Sequence, residues 1–259
     1  MNVAVIGAAG RMGQEVCRAV LAADDLTLVA AVDPARDGQP LCDVIGADTD
    51  VAIVGRLDDL PLDTLDVAVE FTGPATVGQN LCWLLEHGIY TVVGATGLTD
   101  QAIADARAAA AQGQVSALIA PNFAIGAVLL ERFAIEAAKY FPDVEVIELH
   151  HDKKVDAPSG TALRTARLLA QARTHTPPYV GGDDAYPGAR GADVDGIRVH
   201  SVRLPGLVAH EEVLFGGEGE VLTLRHDSLS RTSFMPGVLH AIRQVKTVNG
   251  VAIGLDQVL

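Results

Sequence analysis

The first half of the chain alternates short, unbroken apolar runs with longer stretches in which apolar residues recur at helical spacing. The predicted strands are residues 3–6, 26–32, 67–71, 91–93 and 115–119, and the predicted helices are residues 11–23, 75–87 and 100–112. Strands without a polar face are typical of a parallel sheet that is covered on both sides. Because crossovers between parallel strands are right-handed, the pattern predicts a doubly wound, Rossmann-like α/β sheet.

After residue 121 the pattern becomes more varied and favours a second domain of the α+β class. The predicted elements are a helix at 125–140, a strand at 144–150, a helix at 161–173 and strands at 197–204, 207–215 and 220–226. Pro, Gly and Asp are frequent at 174–196, which predicts an irregular excursion. The tail, a helix at 234–245 and a strand-like segment at 251–255, could return to the first domain.

Composition narrows the class of partner. The net charge of -14 gives the chain no electrostatic reason to approach nucleic acid or an anionic membrane. No apolar window approaches the roughly 18 residues of a membrane span, and the first residues lead directly into a strand. Cys17, Cys42 and Cys82 are odd in number and widely spaced, which suits reduced thiols and supplies no CxxC zinc pair. We therefore expect a cytoplasmic protein.

A glycine-rich turn follows the first predicted strand. Gly7, Gly10 and Gly13 open the first helix, where free N–H groups and the helix dipole can hold a pyrophosphate. The spacing differs from Gly-x-Gly-x-x-Gly, so an ordinary glycine-rich turn is the alternative. Asp33 ends the second strand at the position where a carboxylate would bind an adenosine ribose, which favours NADH. Arg11 and Arg36 lie close enough in sequence to accommodate NADPH as well.

Two further turns, at residues 71–74 and 94–97, follow later strands of the same predicted sheet. Each taken alone could be an ordinary strand-to-helix turn. Their shared position at the carboxyl ends of parallel strands, where doubly wound sheets bind ligands, favours a functional role.

The segment at residues 148–162, ELHHDKKVDAPSGTA, concentrates titratable and cationic groups at a strand end. His150 and His151 are adjacent and should project to opposite faces, which argues against a shared metal ion, and we predict no metal site. Lys153 and Lys154 add positive charge. A structural histidine and solvated lysines are the alternatives for these residues taken singly.

A helix start follows this loop. Ser159 is expected to cap the helix, with the amides of Gly160 and Thr161 directed outward toward an anion. A plain capped helix explains Ser159 equally well. A nucleophilic role for Ser159 is disfavoured, because the chain lacks a Gly-x-Ser-x-Gly elbow here.

Four segments together point to a known family. They are VAVIGAAGRMG at 3–13, APNFAIGAV at 120–128, ELHHDKKVDAPSGTA at 148–162 and RHDSLSRTSFMPGV at 225–238. With the two strand-end turns, they make the chain resemble, nearly end to end, the dihydrodipicolinate reductases, now called 4-hydroxy-tetrahydrodipicolinate reductases, of bacterial lysine and diaminopimelate synthesis. The segment at 148–162 is the most specific of the four.

The resemblance implies a domain organisation and a reaction. Residues 1–121 plus 231–259 would form the dinucleotide-binding domain, and residues 122–230 the substrate-binding and oligomerisation domain of a homotetramer. The chain would pass from one domain to the other near Asn122 and near Ser230, and these two connections would act as hinges. Hydride would pass from NADH or NADPH to the dihydropyridine that forms when the small dicarboxylate substrate, 4-hydroxy-tetrahydrodipicolinate, loses water, giving tetrahydrodipicolinate.

The resemblance also assigns residues. His150 matches the family's proton donor and acceptor, and Lys154 its second catalytic cation. The matched substrate contacts are His151, Gly160 and Thr161. The matched cofactor contacts are Gly7, Ala8, Ala9, Gly10, Arg11, Met12, Asp33, Gly94, Ala95, Thr96, Ala120, Pro121, Asn122 and Phe123. Two positions depart from the family pattern, since Ala95 stands where threonine is common and Lys153 where many members carry histidine.

Elementary chemistry supports these roles and leaves rivals open. Hydride arrival builds electron density on a conjugated imine, so a nearby acid must deliver a proton, and an imidazole suits that task. One rival is another dehydrogenase, such as one acting on homoserine or a semialdehyde. A semialdehyde dehydrogenase should have an active-site cysteine, and all three cysteines of this chain precede the substrate domain, which counts against it. Others are a redox-sensing module without turnover and an enzyme that forms a Schiff base on Lys154.

Overall fold

The structure, a computed structural model, describes residues 1–177 and 185–259. It divides into two compact units, one formed by Met1–Ala124 with Phe234–Leu259 and the other by Ile125–Ser233. The domain boundaries predicted from sequence, at 121/122 and 230/231, lie a few residues earlier and stay a prediction. Each unit is described below by itself.

Strands and helices cover most of both units. In chain order the strands are β1 (Asn2–Ile6), β2 (Thr27–Val32), β3 (Ile53–Val54), β4 (Val67–Glu70), β5 (Tyr90–Val93), β6 (Ala117–Ile119), β7 (Asp143–His150), β8 (Ala192–Val194), β9 (Ile197–Arg203), β10 (Ala209–Gly217), β11 (Glu220–Ser228) and β12 (Val251–Ile253). The helices are α1 (Arg11–Leu21), α2 (Leu41–Ile45), α3 (Val77–Glu86), α4 (Asp100–Gly113), α5 (Ile125–Ala138), α6 (Gly160–Ala172) and α7 (Met235–Gln244).

The first unit is built on a seven-stranded sheet in the order β12-β6-β5-β4-β1-β2-β3, and all its strand pairs are parallel. Both faces of β1 are buried, because successive side chains point to opposite sides of a strand and residues 3–6 are all enclosed. Helix α3 packs against α4, and α1 packs against α7. This architecture confirms the predicted doubly wound, Rossmann-like fold, and β12 confirms that the tail returns to the first sheet.

The second unit contains a five-stranded mixed sheet in the order β11-β10-β7-β9-β8. Strands β7 and β9 are parallel, and the other neighbouring pairs are antiparallel. One face of this sheet carries Val144, Val146, Val213 and Phe215, which pack against α5 and α6 to form the core of the unit. The predicted α+β class is therefore confirmed.

Three local features differ from the sequence-based expectation. The region at 174–196, expected to be irregular, contains strand β8, which pairs with β9; residues 178–184 of that region lie outside the described residues. Strand β3 and helix α2 were not predicted at all. All three are short, and too few residues repeat for a period to stand out.

Among the residues that the structure describes, no helix has the length and apolar character needed to cross a membrane. Within the same residues there is no group of three or more His, Cys, Asp or Glu side chains arranged to hold a metal ion.

Candidate active site

The glycine turn between β1 and α1 is shaped by close backbone approaches. Gly7 has a φ of +81°, and a Cβ at Gly7 would lie 2.9 Å from the carbonyl oxygen of Phe71. A Cβ at Gly13 would lie only 2.0 Å from the carbonyl oxygen of Gly7. Gly10 precedes α1 as its N-cap and, as a glycine, supplies no side chain to cap the first amides of the helix. The turn therefore leaves room and N–H donors for an anion at a helix N-terminus.

Asp33 holds the glycine turn against the end of β2. Its Oδ2 accepts the N–H of Ala9 at 3.0 Å, and its Oδ1 accepts the N–H of Ala35 at 3.1 Å. A cavity of about 490 Å³ adjoins this carboxylate, and its lining includes Gly7, Gly10, Asp33 and the turn that follows β4. Arg56 and Asn80 also line this cavity, and the sequence did not indicate either of them.

The second strand-end turn, around Gly94, lies in the same unit. A Cβ at Gly94 would meet the ring of Phe71 at 2.2 Å and that of Phe123 at 2.9 Å, so only glycine fits between the two rings. Ala120 donates its N–H to Val93 at 2.9 Å, which ties the segment at 120–123 to the end of β5. The structure thus brings this segment and Gly94 together, as expected of strand ends at one edge of a parallel sheet.

The remaining cofactor residues of the sequence analysis lie in these same turns. Ala8, Ala120 and Phe123 are buried and serve packing, whereas Gly10, Arg11, Thr96 and Pro121 are exposed. Ala9, Met12, Ala95 and Asn122 are partly buried. Nothing in the structure tests their contacts with a cofactor, so these assignments remain proposals.

Glu70 is a fully buried carboxylate at the end of β4, next to the cavity. It accepts hydrogen bonds from the N–H and the hydroxyl of Thr72 and from the amide of Asn80 at 3.2 Å. Burial raises the pKa of Glu70, and these donors oppose the rise. Glu70 therefore fixes the turn after β4 and was another residue missed by the sequence analysis.

These features fit a dinucleotide. The glycine positions form a cradle that a Cβ would fill, α1 presents its N-terminus there, and Asp33 borders a cavity beside it. Residues 7–12, Asp33 and the turn at 94–96 could hold NADH or NADPH.

In the second unit, the candidate chemistry lies at one end of the five-stranded sheet. Val144, Val146, Glu148 and His150 alternate on one face of β7, so the face that begins as apolar core ends in a carboxylate and an imidazole. Glu148 is completely buried, and the His150 side chain is 16% exposed. His150 therefore lies beside a buried carboxylate on the same strand face and is itself partly open to solvent.

Glu148 accepts hydrogen bonds from several neighbours. Arg203 on β9 binds both carboxylate oxygens at 2.8 Å, His150 Nδ1 lies 2.5 Å from Oε2, and the N–H of Ser159 donates to Oε1 at 3.1 Å. Burial tends to raise the pKa of Glu148, but Arg203 and the other donors outweigh it and hold the pKa below its usual range. Burial lowers the pKa of His150, with Glu148 opposing and the cations Lys154 and Arg203 adding to the decrease.

Lys154 lies in the turn that follows His150. Its N–H donates to the carbonyl of His151 at 3.1 Å, and its Nζ contacts both carboxylate oxygens of Asp156, at 2.8 and 2.9 Å. The Lys154 ammonium is therefore paired with the Asp156 carboxylate. His151 and Lys153 are exposed.

The start of α6 completes the group. Ser159 caps the helix, accepting the N–H of Ala162 at 3.2 Å, which confirms its predicted capping role. A Cβ at Gly160 would meet nothing within 4 Å, and Gly160 is exposed. The bond from Ser159 to Glu148 brings the N-terminus of α6 to His150. Arg203 binds both Glu148 and the backbone carbonyl of Asp156, which joins the loop of Lys154 to the same cluster.

Three charged residues of this region belong to no functional assignment made from the sequence: Glu148, Arg203 and Glu211. Glu211 on β10 is the strand partner of Glu148 and is 7% exposed. A charged residue on the buried side of a strand alternation was the available signal for all three.

Comparison with known proteins identifies the family. Residues 1–123 match the family model described as dihydrodipicolinate reductase, N-terminus, and residues 126–259 match the one described as dihydrodipicolinate reductase, C-terminus. The chain belongs to the dihydrodipicolinate reductase family. The resemblance found from the sequence is thereby confirmed.

Relatives of this family match along the whole chain. The 4-hydroxy-tetrahydrodipicolinate reductase of Mycolicibacterium vanbaalenii is 51% identical, over 100% of this chain and 99% of the relative. The protein of the same name from Listeria monocytogenes is 47% identical, over 100% of both chains. The dipicolinate-bound dihydrodipicolinate reductase from Paenisporosarcina sp. TG-14 is 42% identical, with a TM-score of 0.89 over 100% of this chain and 99% of the other.

A more distant neighbour shares the fold alone. The structure of GenD2 from gentamicin A biosynthesis, in complex with NAD, is 17% identical with a TM-score of 0.65, over 100% of this chain and 90% of that one. The dihydrodipicolinate reductase family thus accounts for the chain far more closely than other dehydrogenases of this architecture.

Proposed function

We propose that this chain catalyses the NAD(P)H-dependent reduction of 4-hydroxy-tetrahydrodipicolinate to tetrahydrodipicolinate, with loss of water. Family membership makes it an oxidoreductase of the lysine and diaminopimelate route. The observation that carries the proposal for its site is the cluster of His150, Lys154 and the N-terminus of α6 around the buried Glu148.

The first unit would hold the cofactor. The N–H groups at the start of α1 would bind the pyrophosphate, and Asp33 would accept hydrogen bonds from the adenosine ribose. Bound NADH or NADPH would supply the hydride. Asp33 would repel the 2'-phosphate of NADPH, whereas Arg11, Arg36 and Arg56 carry charge that can offset this repulsion.

His150 would move the proton. A hydride and a proton together complete the reduction of one double bond, and the hydride leaves extra electron density on the ring that a proton must neutralise. Nδ1 of His150 is engaged by Glu148, whereas Nε2 makes no hydrogen bond to the residues that the structure describes. Nε2 is therefore the nitrogen proposed to hold and release the proton.

Lys154, His151, Gly160 and Thr161 would bind the substrate. A dicarboxylate such as the dipicolinate bound to the Paenisporosarcina enzyme carries two anionic groups. The N-terminus of α6 and the Lys154 ammonium are suited to such groups. Binding would require Lys154 to exchange the Asp156 carboxylate for that of the substrate, and this exchange fixes the ring for reaction.

The test is a spectrophotometric assay of NADH and NADPH oxidation, with the substrate generated in place from aspartate semialdehyde, pyruvate and a synthase. We expect oxidation that depends on the substrate. NAD(P)H binding without oxidation would contradict the proposal and favour the redox-sensing alternative.

Two variants test the residue assignments. His150→Ala should lower kcat by about 100-fold or more, the usual size of general-acid catalysis, while the Kd of NADH stays unchanged. Lys154→Ala should both raise KM and lower kcat. Lys153→Ala, which removes the neighbouring exposed charge, is the matched control and should keep kcat. Retention of turnover by His150→Ala or Lys154→Ala would contradict the role assigned to that residue.

Homotetramer formation and a cytoplasmic location are further parts of the proposal. The family resemblance supports the first, and the reduced cysteines expected from the sequence support the second. Light scattering coupled to size-exclusion chromatography tests the assembly, since a dimer or monomer mass at working concentrations would contradict a tetramer.

A further inference from the structure

The Glu148 carboxylate, which contacts His150, has more hydrogen-bond partners than a simple ion pair would need. Glu148 lies on β7 two residues before His150, on the same face of the strand, and is completely buried. A buried carboxylate is costly unless its lone pairs are satisfied. Here it accepts hydrogen bonds from two nitrogens of Arg203, the N–H of Ser159 and Nδ1 of His150.

Arg203 fixes the carboxylate in place. Its two terminal nitrogens bind one oxygen each, both at 2.8 Å, in the planar two-bond geometry that a lysine could not reproduce. The same guanidinium donates to the backbone carbonyl of Asp156 at 2.6 Å. Arg203 therefore anchors both Glu148 and the loop that carries Lys154.

This arrangement selects one tautomer of His150. An ionised carboxylate can only accept hydrogen bonds, so Nδ1 must carry a hydrogen to lie 2.5 Å from Oε2. In the neutral ring the other nitrogen, Nε2, is then the basic atom. The negative charge also favours the protonated imidazolium.

Charged groups lie near His150 on its own strand and on both neighbouring strands. On β7 and its loop they are Glu148 and Lys154, on β9 Arg203, and on β10 Glu211, the strand partner of Glu148. Arg203 and Lys154 disfavour the imidazolium, and Glu148 favours it. Glu148 is thus the closest anion and the only one hydrogen-bonded to the ring among the described residues.

We propose that Glu148, held by Arg203, is a positioning residue for the reduction: it fixes the ring of His150 with hydrogen on Nδ1, so that Nε2 carries the reacting proton. This inference deepens the proposed function and rests on the role given there to His150. Because Glu148 is completely buried, it would act through the imidazole and not by direct contact with substrate or cofactor.

The decisive variant is Glu148→Gln. Glutamine has nearly the same shape but only one acceptor oxygen. On the side of Ser159 that oxygen keeps the bonds from Ser159 and from one nitrogen of Arg203, so the NH₂ group would face Nδ1 of His150. We expect the neutral ring to switch to the tautomer with hydrogen on Nε2. We expect kcat to fall about 10- to 100-fold, with the Kd of NADH unchanged within twofold.

Two readouts separate positioning from simple loss of structure. Solid-state NMR of protein with ¹⁵N-labelled histidine, assigned with His150→Ala, reports which ring nitrogen carries hydrogen and the pKa of the ring. The second readout is the pH profile of kcat. Because protonated His150 is needed, kcat falls as the pH rises through the pKa of His150, which gives the profile a descending limb on the alkaline side. Glu148→Gln should move this kcat limb about one pH unit lower.

The chain offers a matched control on the same strand. Glu145 pairs with a histidine and an arginine, His200 at 2.7 Å and Arg190, but it lies on the opposite face of β7. Glu145→Gln should leave the His150 signals and the pH profile of kcat unchanged. An equal displacement of the kcat limb in both variants would overturn the proposal, because it would show a general effect of net charge.

Glu148→Gln could fail to fold, because it leaves the Arg203 cation without its anion. Glu148→Asp keeps the charge opposite Arg203 but withdraws the carboxylate from Nδ1 by one methylene. We expect it to fold, to lower the pKa of His150 and to lower kcat at least fivefold. A folded Glu148→Asp or Glu148→Gln variant with an unchanged tautomer, pKa and kcat limb would overturn the inference.

The outcomes distinguish this inference from the proposed function. If His150→Ala keeps full turnover, the role of His150 is wrong, and the positioning of a reacting proton by Glu148 falls with it. If turnover depends on His150 but the NMR spectra of the unmodified protein, recorded above the pKa of the ring, show the neutral imidazole with hydrogen on Nε2 and none on Nδ1, only the inference about Glu148 fails.

Discussion

Replacing Glu211 with glutamine is expected to change the pH dependence of stability. Glu211 lies on the buried face of β10, and its Oε1 has no hydrogen-bond partner among the described residues. Burial raises the pKa of Glu211 from 4.5 to about 7; the Thr165 hydroxyl opposes the rise, and the nearby carboxylates Glu131 and Glu148 add to it. The folded protein therefore binds a proton at Glu211 that the unfolded chain releases near pH 4.5.

The sign and size of the effect follow from this difference. The contribution of Glu211 to the free energy of unfolding is fully present below about pH 4.5 and is lost as the pH rises to about 7. Each pKa unit corresponds to about 1.4 kcal/mol, so the loss is about 3 kcal/mol. Glutamine is neutral at every pH, so the variant does not lose this stability as the pH rises. Relative to the unmodified protein, Glu211→Gln should thus gain up to about 3 kcal/mol between about pH 5 and pH 8.

Urea unfolding of both proteins over this pH range, at one fixed protein concentration, measures the difference. Asp66→Asn is the control. The pKa of Asp66 is lowered by Lys246, so the contribution of Asp66 to the free energy of unfolding is lost only as the pH falls below the ordinary range of aspartate. The difference in the free energy of unfolding between Asp66→Asn and the unmodified protein should therefore stay constant from about pH 5 to pH 8. A difference for Glu211→Gln that is equally flat would refute the reasoning, because it would mean that Glu211 is ionised throughout.

Three further substitutions test the cradle, the helix cap and the choice of cofactor. Gly13→Ala places a Cβ 2.0 Å from the carbonyl oxygen of Gly7 and should destabilise the protein by about 2 kcal/mol or more and weaken NADH binding, as measured by thermal unfolding and fluorescence titration. Ser159→Ala removes the bond to the N–H of Ala162 and should cost about 1 kcal/mol of stability with turnover retained; abolished turnover in a folded variant would revive the nucleophile alternative. Asp33→Asn removes a negative charge beside the ribose position and should shift the ratio of Kd values about fivefold or more toward NADPH; an unchanged ratio would contradict the role of Asp33.

The parts of the fold that could be predicted are those whose signals are local. An unbroken apolar run, such as residues 3–6, implies a strand buried on both faces regardless of what surrounds it. The positive φ of Gly7 and the close approach at Gly13 also belong to one short turn, which is why glycine spacing indicated the cradle. Strand β8 gave no such signal, because it is short, lies at the sheet edge and has only Val194 partly buried.

The parts of the site that were missed depend on contacts between distant positions. Arg203 meets Glu148 only because β9 lies beside β7 in a particular register, with His150 opposite Arg203 across the parallel pair. Strand alternation can place each residue on a buried face, but it does not show that the two meet. The ion pair, and the hydrogen bond that it imposes on His150, therefore require the three-dimensional arrangement of the sheet.

Strand alternation also shows which charged residues lie on a buried face. Once Val144 and Val146 are assigned to the buried face of β7, Glu148 must lie on that face too, since side chains at even spacing share a side. A carboxylate there must either be neutral or meet a cation. The same argument applies on β10, where Glu211 follows the buried alternation of Phe215 and Val213. The structure shows both solutions side by side: the Glu148 carboxylate is paired with Arg203, while the pKa of Glu211 rises toward neutrality. Charges at buried positions of an alternating strand are thus the residues to examine first when a site is sought in a sequence of this class.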